Sequence, residues 1–247
     1  MTQHEAVIST MESLGGVATL GQLYSEVFKI KECAWGTKTP TASIRRIVQL
    51  NKAIYKIKPG LYGLVSKKTD NESKGMIEET AKNKDSNEVA SFGHTYYQGL
   101  LLIIGKLRKL DCWSPNQDKN KKFLNESLGS MRSLQTIPAF SYDHLVDRSS
   151  TVDVIWFNER KMPNSFFEVE HGTDMKNSLI KFNDLQDFYS RMVIVSAANR
   201  RKEFDSRLQS AAFQEIVAPK RVKFLSYEQL VNDYEYEVEK SASDFKL

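Results

Sequence analysis

Cysteine is nearly absent from this chain. Cys33 and Cys112 are the only two in 247 residues, far apart and in no CxxC pair. With only four scattered histidines beside them, a structural Cys/His zinc module is not expected, and neither is a disulfide framework. The expectation is two reduced thiols in a cytoplasmic protein. Long apolar runs are missing as well. The longest, "GLLLIIG" from Gly99 to Gly105, falls far short of the roughly 18 residues of a membrane span, so no membrane partner is expected. The opening "MTQHEAVIST" lacks the basic head and apolar stretch of a secretory signal.

Strong charge of one sign is also lacking overall, with a formal net charge of +4. Its distribution is uneven. Residues 1–70 hold ten Lys/Arg against five Asp/Glu, which leaves the remainder one net negative charge. A basic N-terminal quarter suits a polyanionic partner, although a solvated surface explains the same excess. Composition marks a join as well. "SKKTDNESKGMIEETAKNKDSNEVASFG", Ser66 to Gly93, is polar and poor in apolar residues, so it reads as a tether that buries no core. The expected division is a small domain over 1–66, a linker over 67–92 and a larger domain over 93–247.

In the first part, Ala6, Val7, Met11 and Leu14 space one face of a helix that "GG" ends. "TLGQLYSEVFKI" reads as a second helix with Thr19 as N-cap, and "TPTASIRRIVQLN" as a third with Pro40 in its first turn. "AIYKIKPGLYGLV" reads as a hairpin around Pro59-Gly60. Three short helices and a hairpin are the order of a winged helix. In such a unit the third helix would meet DNA with Thr39, Thr41, Ser43, Arg45 and Arg46, while Lys56 and Lys58 on one face of the wing would neutralise phosphates. A winged helix that binds protein, with an incidental basic face, is the alternative. "TPTASIRRIVQL" followed by "YKIKPGLYGL" resembles the winged-helix domains, including the HARE-HTH type, that are fused to restriction enzymes and chromatin proteins.

The second part reads α-β-β-α-β-α-β-α, a mixed α/β sheet covered by helices. Its helices are expected near 94–110, 174–191, 201–217 and 226–240, and its strands near 152–157, 166–171, 192–198 and 221–227. Two of the strands carry acid where a core strand should carry none: Asp153 in one, Glu168 and Glu170 in the other. Glu168 and Glu170 are two apart and so share a face. If the strands pair as a hairpin around "NERKMPNS", three carboxylates converge and repel unless a cation lies among them. Hard oxygen ligands suit magnesium, which supports phosphodiester hydrolysis. Solvent-facing edge residues, or acids paired with a buried Arg or Lys, would explain each acid singly.

An aspartate, then Glu-Val-Glu, a helix and "MVIVSA" resemble the PD-(D/E)xK nuclease superfamily, which includes many type II restriction endonucleases. The resemblance spans roughly residues 90–235. It implies an αβββαβ core, Mg2+ or Mn2+ as cofactor, Asp153 and Glu168 as metal ligands, and double-stranded DNA as substrate. Two departures stand out: Val152 in place of proline, and Glu170 where most members carry lysine. Either Glu170 completes the catalytic set in an ExE variant, or a lysine from the next helix does so, with Lys181 preferred to Lys176. His171 adjoins the site in sequence but points away from Glu170 by parity. The preceding helix offers His94, Tyr97 and Gln98 but no acid, with Glu88 further back, and Asp118 lies in a lysine-rich loop with Lys119, Lys121 and Lys122. The expected function is sequence-specific cleavage of DNA by a homodimer, with a modification-sensitive form as a variant. The alternative is a DNA-binding regulator with an inactive nuclease-like domain. A nuclease acting on RNA or single strands lacks support, since no aromatic-basic stacking pattern is present.

Overall fold

A computed structural model describes residues 1–83, 86–172, 174–217 and 220–244. Contacts divide the chain into two units: residues 1–92 together with the C-terminal residues from Val231, and Gly93–Leu230.

In the first unit the order is α1 (Gln3–Ser13), β1 (Val17–Thr19), α2 (Leu20–Glu26), α3 (Pro40–Leu50), β2 (Ile54–Lys58), β3 (Leu61–Leu64) and α4 (Lys68–Ser73). Capping boxes start the first two helices. Thr2 is paired with Glu5 and Thr19 with Gln22, each hydroxyl taking an orphan N–H while the partner side chain reaches back. Pro40 opens α3, where its missing N–H costs nothing. Gly60 takes the left-handed conformation that the turn between β2 and β3 requires. The three strands form an antiparallel sheet in the order β1-β3-β2. Its core packs Val7, Met11, Leu20, Leu23, Ile44, Val48 and Leu64.

Strand β1 was not expected. It has three residues, all buried, too few to display alternation. The tether, whose middle the sequence allows as a short helix, differs from expectation in being partly packed. It carries α4, Asn71 and Met76 within it are buried, and Lys68 pairs with Glu78 at 2.7 Å.

The second unit runs α5 (Asn87–Leu107, its residues from Gly93), β4 (Asp111–Trp113), a small hairpin of β5 (Lys122–Phe123) and β6 (Glu126–Ser127), α6 (Leu128–Met131), α7 (Asp143–Ser149), β7 (Val154–Phe157) and β8 (Pro163–Glu170). It continues through α8 (Met175–Asp184), β9 (Arg191–Ser196), α9 (Arg201–Leu208), α10 (Gln214–Val217), β10 (Val222–Ser226) and the start of α11 (Tyr227–Asp244). The main sheet has the order β10-β9-β8-β7-β4. β4, β7 and β8 run antiparallel in turn, and β8, β9 and β10 run parallel. The fold is mixed α/β, as expected.

β9 is buried along all but its first residue, as a central strand should be. β7 and β8 pair as the expected hairpin, with Val154 opposite Phe167. β4, β5 and β6 were not anticipated, because two or three residues give no readable period. The helix expected over 174–191 ends at Asp184, yet its stripe of Met175, Leu179, Phe182 and Leu185 is fully buried against the sheet. The helix expected over 201–217 breaks into α9 and α10 around Ser210.

The α11 residues from Val231 pack in the first unit. The Tyr234 hydroxyl lies 2.8 Å from Thr19 Oγ1, against Gly21. Glu235 pairs with Arg45 of α3, and Tyr24 donates to the same carboxylate oxygen at 3.4 Å.

Candidate active site

The acids of the hairpin are buried, and the structure surrounds them with partners from four elements. Asp153 lies just before β7. Its Oδ2 accepts the Val169 N–H at 2.7 Å, and its Oδ1 is 3.4 Å from His94 Nε2. His94 comes from α5, and its Nδ1 is 3.1 Å from the Val169 carbonyl. A carbonyl only accepts, so Nδ1 carries the hydrogen and Nε2 faces the carboxylate. Gln98, one turn along α5, donates from Nε2 to Asp118 Oδ2 at 2.9 Å and to the Asp153 carbonyl at 3.3 Å. Asp118 is buried too, and Lys121 pairs with its other oxygen at 2.7 Å. Ligand atoms of His94, Asp118 and Asp153 all lie within 4.8 Å of one another.

The second half of the site joins β8 to α8. Lys181 Nζ reaches both oxygens of Glu168 at 2.9 Å and the Thr151 carbonyl at 2.8 Å. Ser178 Oγ is 3.0 Å from Glu168 Oε2 and also hydrogen-bonds Glu170 Oε1. The two glutamates therefore share a face, as their spacing requires. Of the two candidate lysines, the structure brings Lys181 to the acids and leaves Lys176 exposed. His171 turns to Tyr227, with Nδ1 2.6 Å from its hydroxyl.

The electrostatics follow from burial and crowding. Burial raises the Glu168 carboxyl well above the ordinary range, and the Asp153 charge raises it further against Lys181 and Ser178. Burial would push His94 down, but its hydrogen bond to Asp153 and that residue's charge hold it above the ordinary histidine value. Burial would raise Asp118, yet Lys121 and Gln98 bring it below the usual carboxylate range.

The residues fit a divalent cation. Protonated, His94 donates from Nε2 to Asp153; neutral, it turns a lone pair to the same place, so that a cation there would stand in for the proton. The Val169 carbonyl supplies the outer hydrogen bond that typically orients a metal-binding imidazole. Gln98 Oε1 is buried with no hydrogen-bond partner among the described residues, a costly state that a cation or its water would end.

The DNA-contacting set expected in the first unit is only partly presented. Thr39, Arg46 and Lys56 are exposed, and Thr41 and Ser43 are half-buried. Arg45 is engaged by Glu235. Lys58 departs from expectation: a register shift in β2 between Lys56 and Lys58 breaks the alternation and turns Lys58 inward. It is 1% exposed, pairs with Glu79 at 2.9 Å and lies over the Phe92 ring. His94 and Asp118 are the residues whose role the sequence did not announce. Each belongs to a segment remote from the hairpin, and the only signal was a histidine on an apolar helix and an acid within a basic loop.

Residues 75–243 match the family model described as the type II restriction enzyme NmeDI C-terminal domain, and the chain belongs to that family. The family match makes this a restriction-endonuclease-like protein with a buried acid cluster beside a lysine on the hairpin of its mixed sheet. No curated protein and no solved structure matches the chain. Among the described residues, no helix is long and apolar enough to cross a membrane.

Proposed function

We propose that the chain is a divalent-metal-dependent endonuclease of restriction type that hydrolyses phosphodiester bonds in double-stranded DNA. The observation that carries this reading is the place of Asp153. It contacts His94 within the candidate metal cluster, and its charge acts on Glu168, the partner of Lys181. The αβββαβ order and the acid spacing support placement in the PD-(D/E)xK superfamily. His94, Asp118 and Asp153 would hold the metal, with Glu168 as a further ligand. Bound Mg2+ or Mn2+ would supply Lewis acidity toward the phosphate and lower the pKa of the attacking water.

The chain's own residues divide the remaining work. Lys181, fixed by Glu168 and the Thr151 carbonyl, presents an ammonium to the phosphate charge that grows in the transition state. Glu170 accepts the proton of the attacking water. Lys119, beside Asp118, and Lys122, at the start of β5, are exposed and suit backbone phosphates. In the first unit, three helices with a three-stranded sheet support a winged helix in which Thr39, Arg46 and Lys56 meet DNA. Cutting both strands of a palindrome suits a two-fold homodimer.

Supercoiled plasmid incubated with the protein and Mg2+ or Mn2+ tests the reading. Linear or nicked product should form with wild type and vanish on chelation, and Asp153→Ala and Glu168→Ala should each abolish it while DNA binding persists. A protein that binds duplex DNA yet cuts no methylated or unmethylated genome would instead be a regulator with an inactive nuclease-like domain.

A further inference from the structure

The hydrolytic reading leaves open how Glu170 is held. It stands at the end of β8, where its backbone pairs with Ser196 of β9 and its carbonyl accepts from the Ser196 and Tyr227 hydroxyls, so the strand fixes the backbone but not the carboxylate. Glu168 and Glu170 lie on the same face, separated along the strand by roughly 6.6 Å of backbone rise. Two buried carboxylates at that spacing repel, and the rotamer freedom of glutamate lets them splay. Both carboxylate contacts of Lys181 are to Glu168.

Ser178 lies three residues before Lys181 on α8, so the two project from one side of the helix. It falls within the buried stripe of Met175, Leu179 and Phe182. A serine is a poor choice there on packing grounds alone: it is a weaker helix former than alanine, and a buried hydroxyl is costly unless paired. Its hydroxyl is paired, and its partners are the two glutamates. The single hydroxyl hydrogen serves one carboxylate at a time, so Ser178 links the acids without neutralising them.

We infer that Ser178 is a positioning residue for the reaction, tying Glu170 to the Glu168–Lys181 pair and setting where its carboxylate stands. This rests on the hydrolytic reading of the site. It answers the departure of Glu170 from lysine in a particular way. The lysine comes from α8, and the same helix supplies the hydroxyl that holds the extra acid beside it.

A double-mutant cycle of Ser178→Ala and Glu170→Gln tests this, read by turnover and by unfolding. Turnover is measured on an oligonucleotide duplex carrying a mapped cut site, at saturating Mn2+, and unfolding by urea titration in EDTA. Loss of a residue that orients a site ligand typically costs about 10- to 100-fold. Ser178→Ala should therefore lower kcat by roughly that factor with KM changed less than about threefold. Adding it to Glu170→Gln should lower kcat little further, because the two act as one unit. The unfolding cycle should be non-additive in the same sense. Full kcat in Ser178→Ala, or losses that multiply across the cycle, would overturn the inference. If wild type cuts no duplex while unfolding still shows coupling, the hydrolytic reading falls and the tie between Ser178 and Glu170 stands. Additive unfolding would remove the tie as well.

Discussion

Arg45 and Glu235 form an ion pair whose two members should respond very differently to deletion. The Glu235 side chain is 5% exposed and that of Arg45 is 43% exposed. Arg45→Ala strands a buried carboxylate whose remaining hydrogen bond among the described residues, from Tyr24, is long at 3.4 Å. Stranding one charge of a buried pair typically costs about 3–5 kcal/mol. Glu235→Gln leaves Arg45 free to turn to water, and an exposed partner is worth at most about 1 kcal/mol. Arg45→Ala in the Glu235→Gln background should then cost within about 1 kcal/mol of nothing, since no charge is stranded.

The pair also has a pH signature. Burial holds the Glu235 carboxyl above its ordinary pKa even though Arg45 pulls it down. For Arg45 the balance is opposite: burial works to lower it, and Tyr24 and Glu235 leave it raised. The buried acid governs, because arginine stays ionised wherever folding is measured. A folded pKa above the unfolded one means stability fully present below the unfolded value and lost as pH rises through the folded value. The penalty of Arg45→Ala should therefore be larger at pH 8 than near pH 4, where Glu235 is protonated, and Glu235→Gln should remove the difference.

Hydrogen exchange with mass spectrometry of peptides over 20–26 and 40–50 reads this locally, without assuming that a two-unit chain unfolds in one step. Equal penalties for the two single variants, or an Arg45→Ala penalty indifferent to pH, would refute the reasoning. The same variants bear on DNA. If α3 meets phosphates, Glu235→Gln should free Arg45, tighten binding and steepen the salt dependence by about one unit of slope.

Three further predictions address other parts of the molecule. Lys181→Met should destabilise the second unit by about 3–5 kcal/mol by stranding Glu168, and Glu168→Gln should recover most of the loss; urea unfolding followed by Trp113 and Trp156 fluorescence measures both. Gly21→Ala would place a methyl carbon 2.6 Å from the Tyr234 ring. Overpacking of about 1–3 kcal/mol should outweigh the roughly 1 kcal/mol gained in helix propensity, so Tm should fall in a thermal scan. Burial pushes the Cys112 thiol up to about 12, so iodoacetamide should label it only after unfolding; prompt labelling of the native protein, read by peptide mass spectrometry, would contradict its burial.

Much of the architecture was legible because its causes are local. Thr19 caps α2 through a residue three positions on, Pro40 opens α3, and the 3.6-residue stripe of α8 is written in Met175, Leu179 and Phe182. The period of two placed Glu168 and Glu170 on one face before any fold was known, and both bond the same serine. Three acids in an apolar hairpin, Asp153, Glu168 and Glu170, are what the sequence offers as a candidate site, and the structure buries all three.

What only the tertiary structure decided depends on residues that meet across the fold. His94 and Asp118 reach Asp153 because α5 and the loop before β5 pack beside the hairpin, and no window of sequence contains all three. Lys181 rather than Lys176 stands at Glu168 because the rotation of α8 against the sheet, set by its apolar stripe, turns one inward and leaves the other in water. A single register shift in β2 moved Lys58 from an expected phosphate contact to a buried partner of Glu79. Arg45 met Glu235 from 190 residues away. Periodicity and capping act over a few residues and can be read from the chain. Ion pairs, bulges and helix rotation are settled by packing, where the cost of burying a charge alone selects the partner.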